Sequence, residues 1–340
     1  MSTASTLFVA HADAFAAVVG DAPRLAKVVD VDAHEGPVYA ASEDALYFTT
    51  LPRSTDVPLP GSRSVAIKRL ALDGDHFPLS PEHISTIREP ANMANGMALD
   101  RQGRLVVCEQ GTRSEPGRIS RLDPRTGVLE SVVDQWAGLR FNSPNDVVCT
   151  SDGTLWFTDP SYGFLQGFKD APLVGDYVYR YDPRTDRLSV VADSFDKPNG
   201  LAFSPDERVL YIGDSGFVHG PNDYAVHRPH HVLAFDVLDG RHLSNARLFA
   251  VIAPGFPDDI KVDAAGHVYV SAFSGVQVFS PAGDLIGEIR LPGTVNFTFG
   301  GRDSTTLFIT TDAAIWAASL QARGAQPQPT DPRILAAARS

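Results

Sequence analysis

The chain predicts an all-β fold, a six-bladed β-propeller closed by an N-terminal strand. Three observations predict it: a hairpin pattern that recurs six times, a spacing that leaves room for four strands in most repeats, and a last repeat that lacks one strand. The six segments are EGPVYAASEDALYFTT from Glu35, NGMALDRQGRLVVCE from Asn95, NDVVCTSDGTLWFTD from Asn145, NGLAFSPDERVLYIGD from Asn199, DDIKVDAAGHVYVSA from Asp258 and NFTFGGRDSTTLFITT from Asn296. Each begins with a carboxylate or amide, runs through a short apolar stretch, turns at Asp or Gly, and enters a second apolar stretch. That order is a hairpin signature, and Asp152-Gly153 and Ala265-Gly266 supply residues that tolerate the turn.

The second strand of each hairpin carries an aliphatic anchor at a fixed offset. The offset is 10 residues for Leu105, Leu155 and Val268, and 11 for Leu46, Leu210 and Leu307, a difference of one turn residue. Successive units start 60, 50, 54, 59 and 38 residues apart. The longer intervals hold two further strands, such as RISRLDPRTGVLESVVD after the second unit and YVYRYDPRTDRLSVVAD after the third. A two-sheet sandwich gives no reason for so strict a hairpin repeat. After AAIWAASL the chain turns into QARGAQPQPTDP, too polar and Pro-rich to pair in a ladder, so the last blade must borrow a strand. RLAKVVDVDA, Arg24 to Ala33, lies just before the first unit and would close the ring while covering an open edge. The expected organisation is an arm or short helix over 1–23, one propeller domain over 24–320 and a tail over 321–340. The stretches at 50–66 and 217–231 read as long loops above one mouth of the ring.

Composition narrows the partners. With 340 residues, 43% hydrophobic and 21% charged, the chain can bury a large core. A net charge of −12 argues against nucleic acid or an anionic membrane, both of which require clustered Lys and Arg. A small molecule is the expected partner, with a monomer or small homo-oligomer as the expected state. Cys108 and Cys149 lie inside strand-like runs and show no metal spacing, so they read as core thiols. The N-terminal MSTASTLFVAHADAFAAVVG lacks a basic region and a long apolar run, and no later stretch reaches a membrane-spanning length, which makes the cytoplasm the expected compartment.

In a propeller the innermost strands line a central channel, so equivalent positions converge on the axis. Here that position is polar six times in six: Glu35, Asn95, Asn145, Asn199, Asp258 and Asn296. Any one Asn could serve an Asx-turn at a strand entry, but Ser, Gly and Thr serve such turns equally well and never stand there. Six polar groups at a crowded site are costly without partners. Two carboxylates and four amides, with no His or Cys, are an oxygen-only donor set that suits Ca²⁺ or Mg²⁺ better than Zn²⁺ or Cu²⁺.

EGPVY, SPNDVV, DGTLWFTDPSYG, KPNGLAFSPDERVLYIGDSG and FPDDIKVDAAGHVYV, in this order, resemble the gluconolactonase family, which is related to regucalcin (senescence marker protein) and more distantly to the diisopropylfluorophosphatase propeller. The resemblance extends from about Glu35 to Thr311. It implies a six-bladed propeller with one catalytic divalent cation in the channel, Ca²⁺ ahead of Mg²⁺ or Zn²⁺. The ligands it implies are Glu35, Asn145, Asn199 and Asp258, with Asn95 touching substrate and Asp258 doubling as general base. Asn296 joins Asn95 as an expected donor to substrate oxygens. Three features depart from the family pattern: Gln110 stands where many members have His, Asp259 replaces the usual Gly, and the stretch between Thr50 and Ala66 is long.

The expected function is hydrolysis of a small lactone, an aldonolactone first. The same site on an organophosphate, or a non-catalytic propeller that holds a structural ion, are the alternatives, and paired carboxylates on the axis are what a scaffold has no use for. No G-x-S-x-G elbow supports Ser-His-Asp chemistry, and no phosphate cradle occurs. Asp214, Ser215, Asp159, Tyr162 and Gly163 read as turn residues near the mouth. His230 and His231, adjacent in a strand, point to opposite faces and so cannot both reach one ion.

Overall fold

The structure is a computed structural model that describes residues 4–54, 63–220 and 223–325. Among the described residues, six antiparallel blade sheets, five of four strands and one of five, follow one another along the chain. Blade I pairs Val38–Ala40, Ala45–Thr49, Ile67–Ala71 and Ile84–Arg88. Blade II pairs Ala94–Leu99, Leu105–Glu109, Arg118–Leu122 and Leu129–Val133, and blade III pairs Val147–Cys149, Leu155–Asp159, Tyr177–Asp182 and Arg187–Ala192. Blade IV comprises Pro198–Phe203, Val209–Asp214, His231–Leu238 and His242–Val251. Blade V comprises Ile260–Val262, Val268–Ala272, Gly275–Phe279 and Leu285–Arg290, and blade VI opens with Phe297–Gly300, Thr306–Thr310 and Ala314–Ser319.

The fourth strand of blade VI is Arg24–Asp30, antiparallel to Ala314–Ser319 with Lys27 opposite Trp316 and Val29 opposite Ile315. The ring thus closes with the N-terminal strand, as the incomplete last repeat required. Within the expected arm, Phe8–Ala10 adds a fifth strand to blade V, with Phe8 opposite Ile289, and the helix Phe15–Val19 buries Phe15 and Val18. The tip of the 50–66 loop (55–62), two residues of the 217–231 loop (221–222) and most of the tail (326–340) lie outside the described residues. No helix among the described residues is long and apolar enough to cross a membrane.

Among the described residues the core forms six clusters, one at each interface between neighbouring blades. The anchors occupy one apiece: Leu46 packs between blades VI and I, Leu105 between I and II, Leu155 between II and III, Leu210 between III and IV, Val268 between IV and V, and Leu307 between V and VI. Every residue of the second strands Ala45–Thr49, Leu105–Glu109, Leu155–Asp159, Val268–Ala272 and Thr306–Thr310 is buried, because blades cover both faces. Side chains that alternate across such a strand all meet protein, which is why these runs are apolar without alternation. Cys108 sits inside one of these strands, and both thiols are free.

Candidate active site

The inner strand of each blade starts at one end of the channel and the second strand returns to it. The residue at each entry is held by the strand that returns. Counted three residues beyond the anchors, the second strands carry Thr49, Thr158, Ser271 and Thr310 in four blades. Thr49 Oγ1 donates to the Glu35 carbonyl at 3.0 Å and lies 3.3 Å from the Asn95 carbonyl. Thr158 Oγ1 accepts from Asp146 N at 3.1 Å, Ser271 Oγ from Asp258 N at 3.0 Å and Asp259 N at 2.8 Å, and Thr310 Oγ1 from Asn296 N at 3.2 Å. These hydroxyls fix the backbone from which the ring side chains project.

Links between blades complete the ring. Gly96 N donates to the Asn145 carbonyl at 2.8 Å, and Gly200 N to the Asp258 carbonyl at 2.9 Å. Gly36, at φ +56°, has no room for a side chain, since a Cβ there would stand 2.5 Å from the Asn95 carbonyl oxygen. Asn199 Nδ2 donates to Asp258 Oδ1 at 2.8 Å, and Asn296 Nδ2 to Glu35 Oε2 at 2.7 Å, so blade VI meets blade I at the ring itself. Glu35, Asn145, Asn199 and Asn296 are buried, whereas Asn95 and Asp258 keep some exposure to the channel.

One position further along the inner strands are Gly36, Gly96, Asp146, Gly200, Asp259 and Phe297. Asp146 accepts from Val147 N at 2.9 Å and Leu201 N at 3.4 Å, and Asp259 Oδ2 accepts from Phe297 N at 3.1 Å. Lys261 pairs with the other Asp259 oxygen. Asp259 stands just before the strand Ile260–Val262, and Lys261, two residues on, reaches back to it. This layer, which extends Asp259 beyond a family departure, was not foreseen from the sequence; comparing the residue after each ring position across the six repeats would have found Asp146 and Asp259.

The electrostatics are those of a site short of positive charge. Among the described residues, Glu35, Asp146, Asp258 and Asp259 bear on one another's ionisation, and the Lys261 ammonium opposes the rise at Asp146 and Asp259. Burial, with Asp259, Asp146 and Asp312 adding to it, pushes the Glu35 carboxyl up to about 8 against the opposing hydrogen bond from Asn296. Burial and the charge of Glu35 lift Asp258 well above the usual carboxylate range, only partly offset by His34 and the Asn199 hydrogen bond. Burial raises Asp146 to about 6, with Lys261 opposing, and raises Asp259. Burial alone would lower Lys261, but Asp259 and Asp146 outweigh it and hold its pKa above the ordinary value.

The donor set fits a hard cation on three counts. All six ring side chains offer oxygen, the Glu35 charge adds to burial in raising Asp258, and Asn95 Oδ1 is buried without a hydrogen-bond partner. Among the described residues no three carboxylates, imidazoles or thiols converge, so a cation here would draw on amide oxygens as well.

The turn residues have defined duties. Asp159 accepts from Asn142 N and Ser143 N, and Asp214 from Asp196 N and Lys197 N, so each orders the loop entering its own blade. Ser215 Oγ donates to the Pro257 carbonyl at 2.6 Å. Tyr162 is buried beside Ser215 and Asn199, with Asp258 near enough to help burial raise its pKa; it therefore stays protonated next to the ring. Its place at the site is more intimate than a turn residue's.

The family described as SMP-30/Gluconolactonase/LRE-like region matches residues 33–313. The chain is 32% identical over 296 residues to a gluconolactonase of Zymomonas mobilis, covering 82% of this chain and 76% of that one. It is 27% identical over 315 residues to the lactonohydrolase oryL of Aspergillus oryzae, covering 86% and 69%. A solved gluconolactonase from Xanthomonas campestris superposes with TM-score 0.73 at 32% identity, covering 92% of this chain and 94% of that one. The calcium-binding protein regucalcin from Agrobacterium tumefaciens, at 16% identity and TM-score 0.64 over 88% of this chain and 95% of its own, shares the fold. The match of the family to most of the propeller shows that this chain belongs to the SMP-30/gluconolactonase family.

Proposed function

We propose that the protein hydrolyses a small lactone with the help of one divalent cation held by Glu35, Asn145, Asn199 and Asp258, Ca²⁺ before Mg²⁺ or Zn²⁺. The observation that carries this reading is the pair of buried carboxyls, Glu35 and Asp258, each bonded to a ring amide and with little positive charge beside them. Relatives named gluconolactonase and lactonohydrolase support the reaction type. When bound, the cation supplies Lewis-acid polarisation of the lactone carbonyl and balances the two carboxylates.

The remaining work falls to side chains. Asp258 Oδ1 is engaged by Asn199, and its second oxygen makes no hydrogen bond among the described residues, so it can accept the proton of the attacking water. Asn95 carries two amide hydrogens, and Asn296 gives one of its own to Glu35 and keeps the other. These N–H groups are placed to hold the ester oxygens and to stabilise negative charge as it builds on the carbonyl oxygen. The Tyr162 hydroxyl, protonated throughout the neutral range, lines the same side as Asp258.

The decisive experiment is hydrolysis across a lactone panel that starts with aldonolactones, with and without chelator, followed by metal analysis of the purified protein. Chelation abolishes turnover and readdition restores it; full activity after complete metal removal would refute the reading. A second expectation concerns pH. Glu35 holds its proton up to about 8, so a cation must expel that proton to bind. Apparent affinity therefore rises with pH below 8, by about tenfold per unit for the Glu35 proton alone and more steeply where Asp258 also gives one up. Without the cation, the folded state binds more protons than the unfolded chain between 4.5 and about 8, so stability present at low pH is lost as pH rises through that window. Glu35→Gln removes this dependence and weakens binding in a calorimetric titration; an isotherm identical to the parent's removes Glu35 from the ligand set.

A further inference from the structure

The rim of the mouth carries ion pairs and one cluster of aromatic side chains. Inner strands start at the mouth and second strands return to it, so the loops leaving second strands and those entering the next blade all lie on the ring's side. Around blades I and VI this rim is ionic: His34 Nδ1 lies 2.6 Å from Asp312 Oδ1, and Asp32 holds Lys68 at 3.0 Å and also Arg53. Around blades IV and V, beside the ion pairs of His219 and Lys197 with Asp196, four aromatic side chains stand together. Phe217 and Tyr224 come from the loop after the second strand of blade IV, Phe256 from the loop entering blade V, and Phe273 from the turn after that blade's second strand. The ring centroids lie 5.7 Å apart for Phe217–Tyr224 and Phe256–Phe273, and 6.1 Å apart for Phe217–Phe256 and Tyr224–Phe273.

Much of this surface is open to solvent: Tyr224 is 55% exposed, Phe273 47% and the neighbouring Val226 78%. Contiguous exposed apolar groups mark binding surfaces. This one is tied to the ring by short covalent steps. Phe256 stands two residues before Asp258, and Phe217 two residues after Ser215, whose hydroxyl is bonded to the carbonyl between Phe256 and Asp258. The aromatic groups therefore rise from the same backbone that positions the proposed base. An aldonolactone, hydroxylated around its ring, has no apolar substituent to place on them.

We propose that this aromatic wall is the subsite for an apolar substituent, and that the substrate class is a lactone bearing an alkyl or aryl side chain. The proposal rests on the reading of the ring as a lactonase centre and specifies what that centre accepts. Each methylene moved from water onto the wall is worth up to about fourfold in affinity.

The test compares kcat/KM for γ-butyrolactone, its methyl, propyl and pentyl derivatives, and glucono-δ-lactone, in the parent protein and in Phe273→Ser and Tyr224→Ser. Both side chains are about half exposed, so the fold tolerates their loss. In the parent, kcat/KM climbs with chain length, by at least about tenfold from the unsubstituted to the pentyl lactone. The variants flatten that climb and leave glucono-δ-lactone unaffected. A flat series in the parent, or an undiminished climb in both variants, overturns the proposal. Calorimetric binding of the matching γ-lactams separates the two readings. If no lactone is opened, the lactonase reading fails, yet lactam affinity that grows with chain length in the parent and not in the variants still upholds the wall. Sedimentation of parent and variants supplies the last outcome: variants that dissociate an oligomer while keeping the chain-length dependence assign the wall to a second copy of this chain and overturn the proposal.

Discussion

Asp258→Asn lowers kcat on a lactone by roughly 10²–10⁴-fold, measured at saturating cation, with KM changed far less. The substitution keeps the shape of the side chain and an oxygen for Asn199 Nδ2, which donates to Asp258 Oδ1 at 2.8 Å in the parent. It also keeps the backbone bond from residue 258 to Ser271 Oγ. What disappears is the ability to take a proton. Cation affinity falls as well, because one of two carboxylates is lost, and that is why the rate is compared at saturation. The split between kcat and metal affinity separates a base from a ligand: a pure ligand would lose binding and recover full turnover once saturated. Equal kcat for variant and parent on the same lactone would remove Asp258 from the proton-transfer step. The pH profile of the parent gives an independent reading. Burial and, after it, the neighbouring Glu35 charge hold Asp258 high, and a bound cation opposes both, so the activity limb that reports its ionisation moves to lower pH as cation concentration rises.

The architecture was legible because each blade repeats one physical problem. A second strand covered on both faces must be apolar throughout, and a buried anchor must recur at a fixed distance from the strand entry; Leu46, Leu105, Leu155, Leu210, Val268 and Leu307 each solve it at one blade interface. The missing strand of blade VI was legible by subtraction, since Arg24–Asp30 alone precedes the first unit with the right pattern. The fifth strand, Phe8–Ala10, was not. Three residues flanked by helix-compatible sequence carry no local strand signal, and only the open edge of Leu285–Arg290 specifies the pairing.

The candidate ring was legible for a related reason: a polar residue fixed at every entry to an apolar strand violates the local pattern, and such violations gather at functional sites. The roles assigned to the six residues remain proposals that rest on this geometry. What the sequence hid was everything that depends on two repeats at once. Thr49, Thr158, Ser271 and Thr310 look like ordinary strand hydroxyls until the return strand places them under the ring. Tyr162 looks like a turn aromatic because its neighbours Ser215 and Asn199 belong to the next blade. Asp259 was visible as a departure from Gly, but its partners were not: Lys261 reaches back from two residues on, and Asp146 enters from two blades away.

Lys261→Met is the change expected to cost most stability, about 3 kcal/mol near neutral pH. In the parent, Lys261 is bonded to Asp259, a fully buried carboxylate, and its charge also acts on Asp146. Methionine fills similar volume and exchanges the cation–π contact of Lys261 Nζ, 5.8 Å from the Phe297 ring centre, for a thioether–aromatic one. The cost is therefore electrostatic, two buried carboxylates left without their cation. Their answer is to take up protons, which raises folded-state pKa values that already lie above the ordinary carboxylate value, Asp146 at about 6. A carboxylate raised in the folded state contributes stability below its unfolded pKa and loses it as pH rises through the folded pKa. The difference between variant and parent is thus small near pH 5 and reaches its full size by about pH 8, read by denaturant unfolding at each pH. Adding Asp259→Asn to Lys261→Met restores most of the lost stability, because the neutral amide needs no counter-charge and still accepts from Phe297 N as Asp259 does at 3.1 Å. A single variant with parental stability at pH 8, or a double variant no better than the single, would show that this layer contributes packing and not charge balance beneath the ring.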